Sequence, residues 1–86
     1  MKIRDNGVIF KVNKAADVTF TAGSSSAYGI ELYDAYGELK LYVAGGKTAT
    51  VSNIPAGVYV IKSGNTQKDG YLENLKIVAN DLMLQQ

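Results

Sequence analysis

The chain has 86 residues, with no Cys, no His, a single Pro, and nine basic against eight acidic side chains for a formal net charge of +1. A single domain of this size buries only about 60 to 65% of its unfolded surface, and without Cys neither disulfides nor thiolate metal sites can reinforce it, so stability rests on regular packing of the 47% hydrophobic residues. The lack of His removes the commonest general base and metal ligand, and the near-neutral charge argues against nonspecific nucleic-acid binding.

Apolar residues recur at every second position, rich in Val, Ile, Thr and Tyr, with turn residues about every ten positions; this is strand rhythm. In chain order the predicted strands are GVIFKVN (7–13), DVTFTA (17–22), YGIELYD (28–34), GELKLYV (37–43), KTATVS (47–52), GVYVIKS (57–63) and YLENLKIVA (71–79). No helix of normal length is expected. Seven or eight short strands in one domain, residues 1–86 with a core of about 7–79, indicate an all-β fold. Its expected form is a two-sheet antiparallel β-sandwich resembling a jelly roll. The tail NDLMLQQ is either an eighth edge strand or the start of a connection.

The third and fourth strands predict a hairpin, because Asp34-Ala35-Tyr36-Gly37 carries type I turn preferences. Closing it at Asp34 and Gly37 sets Tyr33 opposite Glu38, Leu32 opposite Leu39, Glu31 opposite Lys40, Ile30 opposite Leu41 and Gly29 opposite Tyr42. On the outer face, Tyr42 is then expected over Gly29 and Tyr33 diagonally near Lys40. The expected inward set elsewhere is Val8, Phe10, Val12, Val18, Phe20, Ala49, Val51, Tyr59, Ile61, Leu75, Ile77 and Ala79. Val58, Val60 and Val78 form competing stripes, so the last two strands are either buried on both sides or carry an outer apolar face that packs on another partner.

If each connection reverses the chain, the loops alternate between two ends. NKAA, DAYG and NIPAG then share one end, and they are short. AGSSSAYG, AGGK and SGNTQKDGY share the other, where they are longer, polar and Gly-rich. Loops of that length are not needed to close a hairpin, so this end is the expected functional one. It gathers Ser24, Ser25, Ser26 and Thr66 with the expected ligand-binding residues Tyr28, Lys47, Asn65, Gln67, Lys68, Asp69 and Tyr71, a mixture of hydroxyls, rings, amides and charges suited to hydroxyl-rich ligands such as sugars. The lysines favour acidic sugars such as uronates. Tyr33 and Tyr42 form a secondary aromatic face, whereas Tyr59, directly after Pro-Ala-Gly, reads as structural.

No catalytic constellation is visible: no Ser or Cys triad, no phosphate loop and no dinucleotide fingerprint. Paired carboxylates for glycoside cleavage lack an evident deep cleft in so thin a domain. The expectation is a protein that is not an enzyme. A structural calcium ion is conceivable from Asp and Asn oxygens, but no dedicated calcium-loop spacing supports it. No membrane span is present, and MKIRDNG lacks the apolar core of a signal peptide, so either the chain is intracellular or a leader is not included.

The strings GVIFKVNKAADVTFTAG, IELYDAYGE, ATVSNIPAGVYVIKS and LENLKIV resemble small bacterial extracellular β-sandwich modules appended to secreted polysaccharidases and peptidases. Jelly-roll carbohydrate-binding modules and pre-peptidase C-terminal-like domains share this cadence over residues 7–79. The resemblance implies an accessory, extracellular or cell-surface role in a larger secreted enzyme, with polysaccharide or oligosaccharide as the partner and a site often on apex loops. NIPAGVYVIK also resembles type IX secretion sorting domains, although the ending NDLMLQQ departs from their pattern. The functional expectation is noncatalytic binding of plant or microbial polysaccharide. The alternative is a structural or secretion-sorting module that packs on a neighbouring domain and binds no glycan.

Overall fold

A computed structural model describes residues 1–5 and 7–80. The strands are β1 (Lys2–Ile3), β2 (Val8–Val12), β3 (Ala16–Ala22), β4 (Ile30–Asp34), β5 (Leu39–Val43), β6 (Thr48–Ile54), β7 (Gly57–Ser63) and β8 (Gly70–Ala79). They form two four-stranded antiparallel sheets, ordered β1-β8-β3-β6 and β2-β7-β4-β5. Only β4 and β5 follow one another within a sheet; every other connection crosses the sandwich, which is the winding of a jelly roll. The expected all-β sandwich is therefore the observed fold. The expectations about the tail fall on residues 81–86, which lie outside the described residues.

Strand β3 shows how the sequence dictates burial. Ala16, Val18, Phe20 and Ala22 are buried while Asp17, Thr19 and Thr21 face outward, the period of two that a pleated strand imposes. The inward residues meet Ile30, Leu32, Val43 and Ile61 of the other sheet in one core. On the outer side, Thr19 bonds Thr50 and Thr21 bonds Thr48 across the β3-β6 ladder, at 2.7 and 2.6 Å. Tyr59 is structural as expected: its hydroxyl donates to the Pro55 carbonyl at 2.6 Å and its ring stacks on Phe10.

Three sequence expectations need correction. The predicted strands begin at residue 7, but β1 precedes them at Lys2–Ile3; the Met1 ammonium donates to the Leu72 carbonyl at 2.9 Å, and the Leu72 amide returns a bond to the Met1 carbonyl. The hairpin closes at Asp34 and Glu38, one residue wider than expected, because Gly37 takes φ 84° and the Asp34 carboxylate accepts the Tyr36 and Glu38 amides. Lys40 is then an extra residue in the ladder, and the observed pairs are Tyr33 with Leu39, Leu32 with Leu41, Glu31 with Tyr42 and Ile30 with Val43. Val43 is buried and Leu39 turns outward. Lys40 pairs with Glu38 and Asp34 instead of Glu31. The contact of Tyr42 with Gly29 survives diagonally, since a Cβ on Gly29 would stand 2.6 Å from the Tyr42 ring.

The third correction concerns the valines and the end of β8. Val58 and Val60 lie on the outer face of the second sheet, whereas Val78 pairs with Asp17 on the outer face of the first, so they form no single surface. Ile77 has inward parity, opposite buried Val18, yet it remains 39% exposed, and Ala79 is also exposed. The cause is positional: beyond Leu72, no described strand flanks β8 on its β1 side.

The parity sets a stability contrast. Phe20→Ala empties a fully buried site and is expected to cost about 3 to 5 kcal/mol, while Ile9→Thr on the outer face of β2 is expected to change stability by no more than about 0.5 kcal/mol. Urea denaturation of the two variants measures both.

Candidate functional site

Segment 23–29, between β3 and β4, organises the polar end. Ser26 is buried, and its Oγ accepts the Tyr71 amide at 2.8 Å, while the Gly23 amide donates to the Tyr71 carbonyl at 2.7 Å. On one flank the Gly46 amide bonds the Ala22 carbonyl; on the other, the Gly64 amide bonds the Gly29 carbonyl. The three long loops are thereby tied to one another and to the start of β8, at the end where the alternation of connections predicted they would meet.

Several of the predicted ligand-binding side chains are used by the protein itself. Asn65 Oδ1 accepts the Gln67 amide at 2.9 Å, and its carbonyl accepts the Lys68 amide, so Asn65 builds its own turn. Asp69 Oδ1 accepts Arg4 Nε at 2.6 Å. That bond and the positive charges of Arg4 and Lys2 hold the Asp69 carboxyl below the ordinary range. Gln67, Lys68 and Lys47 are exposed, and Tyr28 is half exposed. Tyr71 is partly buried and stands opposite Lys2 in the β1-β8 ladder.

An open hollow of about 390 Å³ lies at this end, lined by Lys2, Ile3, Arg4, Asp5, Thr66 and Asp69. Of the residues expected at this end Thr66 and Asp69 line it, and Tyr71 adjoins it through Lys2; Tyr28 and Lys47 do not contribute. Lys2 and Arg4 went unrecognised because β1 is too short to show a period. The available signal was the charge pattern K-x-R-D ahead of the first Gly, which brings two cations and a carboxylate close in sequence.

Tyr33 and Tyr42 share the outer face of the second sheet, with Glu31 between them in sequence register. The Tyr33 hydroxyl donates to Glu31 Oε1 at 2.5 Å, and Lys62 Nζ lies 5.1 Å from the Tyr33 ring centroid. The Glu31 bond and partial burial push the Tyr33 hydroxyl pKa up. At the opposite end, which turn chemistry alone had explained, Tyr36, Lys40, Pro55, Val58 and Tyr59 line a second hollow of about 340 Å³.

The carboxyls with resolved shifts, Asp17, Asp34 and Asp69, are all lowered by hydrogen bonds, the wrong direction for a general acid at neutral pH. Among the described residues no three carboxylates gather to hold a metal ion.

The Arg4 to Asp69 pair carries a pH signature. Because the folded Asp69 pKa is depressed, its contribution is fully present above the unfolded value near about 3.9 and is lost as pH falls through the folded value. Arg4→Gln is expected to raise the Asp69 pKa toward the ordinary range and to flatten this part of the acid stability profile; carboxyl titration by NMR with acid unfolding checks both. No family model, curated protein or solved structure matches the chain.

Proposed function

We propose that the protein is a noncatalytic carbohydrate-binding module that holds polysaccharide, with uronate-containing polymers preferred, at the polar end of the sandwich. The observation that carries this reading is the hollow beside Tyr71, which sets the cations Lys2 and Arg4 next to the hydroxyl of Thr66. A carboxylated sugar can place its carboxylate on the cations and its hydroxyls on Thr66 and Gln67, while the Tyr71 ring offers an apolar surface to its C-H face. Asp5 and Asp69 also line the hollow, with Asp69 bonded to Arg4, and Lys68, exposed on the same loop, adds a cation that the two carboxylates do not offset. The cadence shared with extracellular accessory modules supports placing the domain outside the cell, as part of a larger secreted enzyme.

A second reading rests on a different surface. Ile9, Val60, Tyr33 and Leu39 form a continuous row across the outer face of the second sheet, and Ile9 is 73% exposed. Such a row suits packing against a neighbouring domain, as a structural or sorting module requires.

Affinity electrophoresis against neutral and uronate polymers separates the two. On the carbohydrate reading a uronate polymer retards the protein, and added salt weakens the retardation. Tyr71→Ala with Lys68→Ala then reduces affinity by at least about tenfold, or about 1.4 kcal/mol. Unchanged retardation in that double variant removes the proposed site. No retardation by any polymer, together with self-association that Ile9→Lys abolishes, favours the packing reading.

A further inference from the structure

On the outer face of the second sheet, the ladder registers set side chains at fixed levels along the strands. One level holds Ile9, Val60, Tyr33 and Leu39, in the strand order β2-β7-β4-β5. The next level, toward the polar end, holds Lys62, Glu31 and Tyr42 on β7, β4 and β5. On β2 that level falls to Gly7, one residue ahead of Val8, which pairs with Ile61. Ile9 is mostly exposed, and Leu39, Tyr42 and Val58 are about half exposed. Covering such a face is favourable, but its two charges decide what can cover it. Within one chain Lys62 reaches Asp5 at 3.8 Å and lies over the Tyr33 ring, while Glu31 accepts the Tyr33 hydroxyl. Any cover must bring an anion to Lys62 and a cation to Glu31.

The same face on a second copy brings both. Consider a two-fold axis that runs along the strands over the midline between β7 and β4. It keeps every residue at its level and exchanges β2 with β5 and β7 with β4. Lys62 then meets Glu31 of the second copy and Glu31 meets its Lys62, so four charges alternate in sign about the axis. Val60 meets Tyr33 and Ile9 meets Leu39, which closes the apolar row upon itself. Tyr42 comes over Gly7, where no side chain can stand: a Cβ there would lie 1.6 Å from the Ile61 carbonyl oxygen. The crossing of about −30° usual for aligned sheets keeps these partners within side-chain reach. The other two-fold axis in the plane, across the strands, reverses the levels. It sets Lys62 against Val58 and Glu31 against Ala35, leaving both charges buried without an opposite charge.

We propose that this face binds a second copy of the chain, in a symmetric dimer held by the two Lys62 to Glu31 pairs and the row from Ile9 to Leu39. The proposal rests on the apolar row of the packing reading and names its partner; it does not depend on sugar binding. The face is four strands wide and about five residues long, roughly 19 by 17 Å. That is small for a permanent interface, so the dimer forms and separates with concentration. Because the axis runs along the strands, both polar ends point the same way. A polymer held at one hollow thus finds a second hollow facing it, which strengthens attachment without any new contact.

Sedimentation equilibrium over a concentration series tests the proposal. The chain is expected to move from 9.2 kDa toward twice that mass as concentration rises. Glu31→Lys alone and Lys62→Glu alone are each expected to weaken association by at least about tenfold, because like charges then face each other across the axis. An equimolar mixture of the two variants restores it, since each offers the other the opposite charge at both contacts. Misfolding cannot produce that rescue. Glu73→Lys and Lys76→Glu, the same charge changes on exposed residues of β8 in the other sheet, leave association of the otherwise unaltered chain unchanged. A chain that stays monomeric at every concentration overturns the dimer. If that monomer still binds an apolar-surface dye, and Ile9→Lys abolishes the binding, the packing reading survives with another partner; without dye binding both fall. Association that ignores the two charge variants, or is not restored on mixing them, overturns the proposed face.

Discussion

The buried Ser26 hydroxyl is the interaction on which the polar end depends. Its Oγ takes the Tyr71 amide where segment 23–29 leaves the first sheet to begin β4 in the second. Removing it would leave a partly buried amide unsatisfied, at a cost of about 1 to 3 kcal/mol. It would also leave the Gly23 amide as the remaining bond from segment 23–29 to Tyr71, the residue that pairs with Lys2. In a domain with no disulfide, this contact and the backbone bonds of Gly23, Gly46 and Gly64 join the loops of this end.

A matching device closes the other end. Asp17 Oδ1 accepts the Asn53 amide and the Asn80 side chain, and Asn80 also reaches Asn53 Oδ1. The cluster ties β3, β6 and the end of β8, and its hydrogen bonds hold the Asp17 carboxyl below the ordinary range. Asn53 adopts φ 63° there, a left-handed conformation that Asn tolerates better than most residues. Both ends are thus fixed by short polar side chains bonded to backbone, and the apolar alternation fills the space between. Among the described residues, β8 is anchored at both ends and is paired on its β1 side only near its start.

Much of this was legible in the chain. Val18 and Phe20 announce the parity of β3, and strict reversal of direction at each turn places the long loops together without any knowledge of contacts. Where reading failed, the reasons are local. The hairpin register depended on a carboxylate capping two amides and on one extra residue at Lys40, neither of which shows in apolar periodicity. β1 spans Lys2–Ile3 only, so its cations could not be placed. Asn65 and Asp69 have the right chemistry for a ligand, but the fold uses Asn65 in its own turn and pairs Asp69 with Arg4. Burial of Ile77 was expected from its parity, but parity fixes only direction; burial also needs a neighbour on the far side.

The account's central claim is that the polar end, braced by Ser26, is the binding surface. Backbone amide shifts followed by NMR during titration with a soluble uronate oligosaccharide test it most directly. The account predicts saturable shifts at Lys2, Arg4, Thr66, Lys68 and Tyr71, with little change at Val60 and Tyr33. Shifts confined to the row from Ile9 to Leu39, or none at ligand concentrations that retard the protein in a gel, would contradict it.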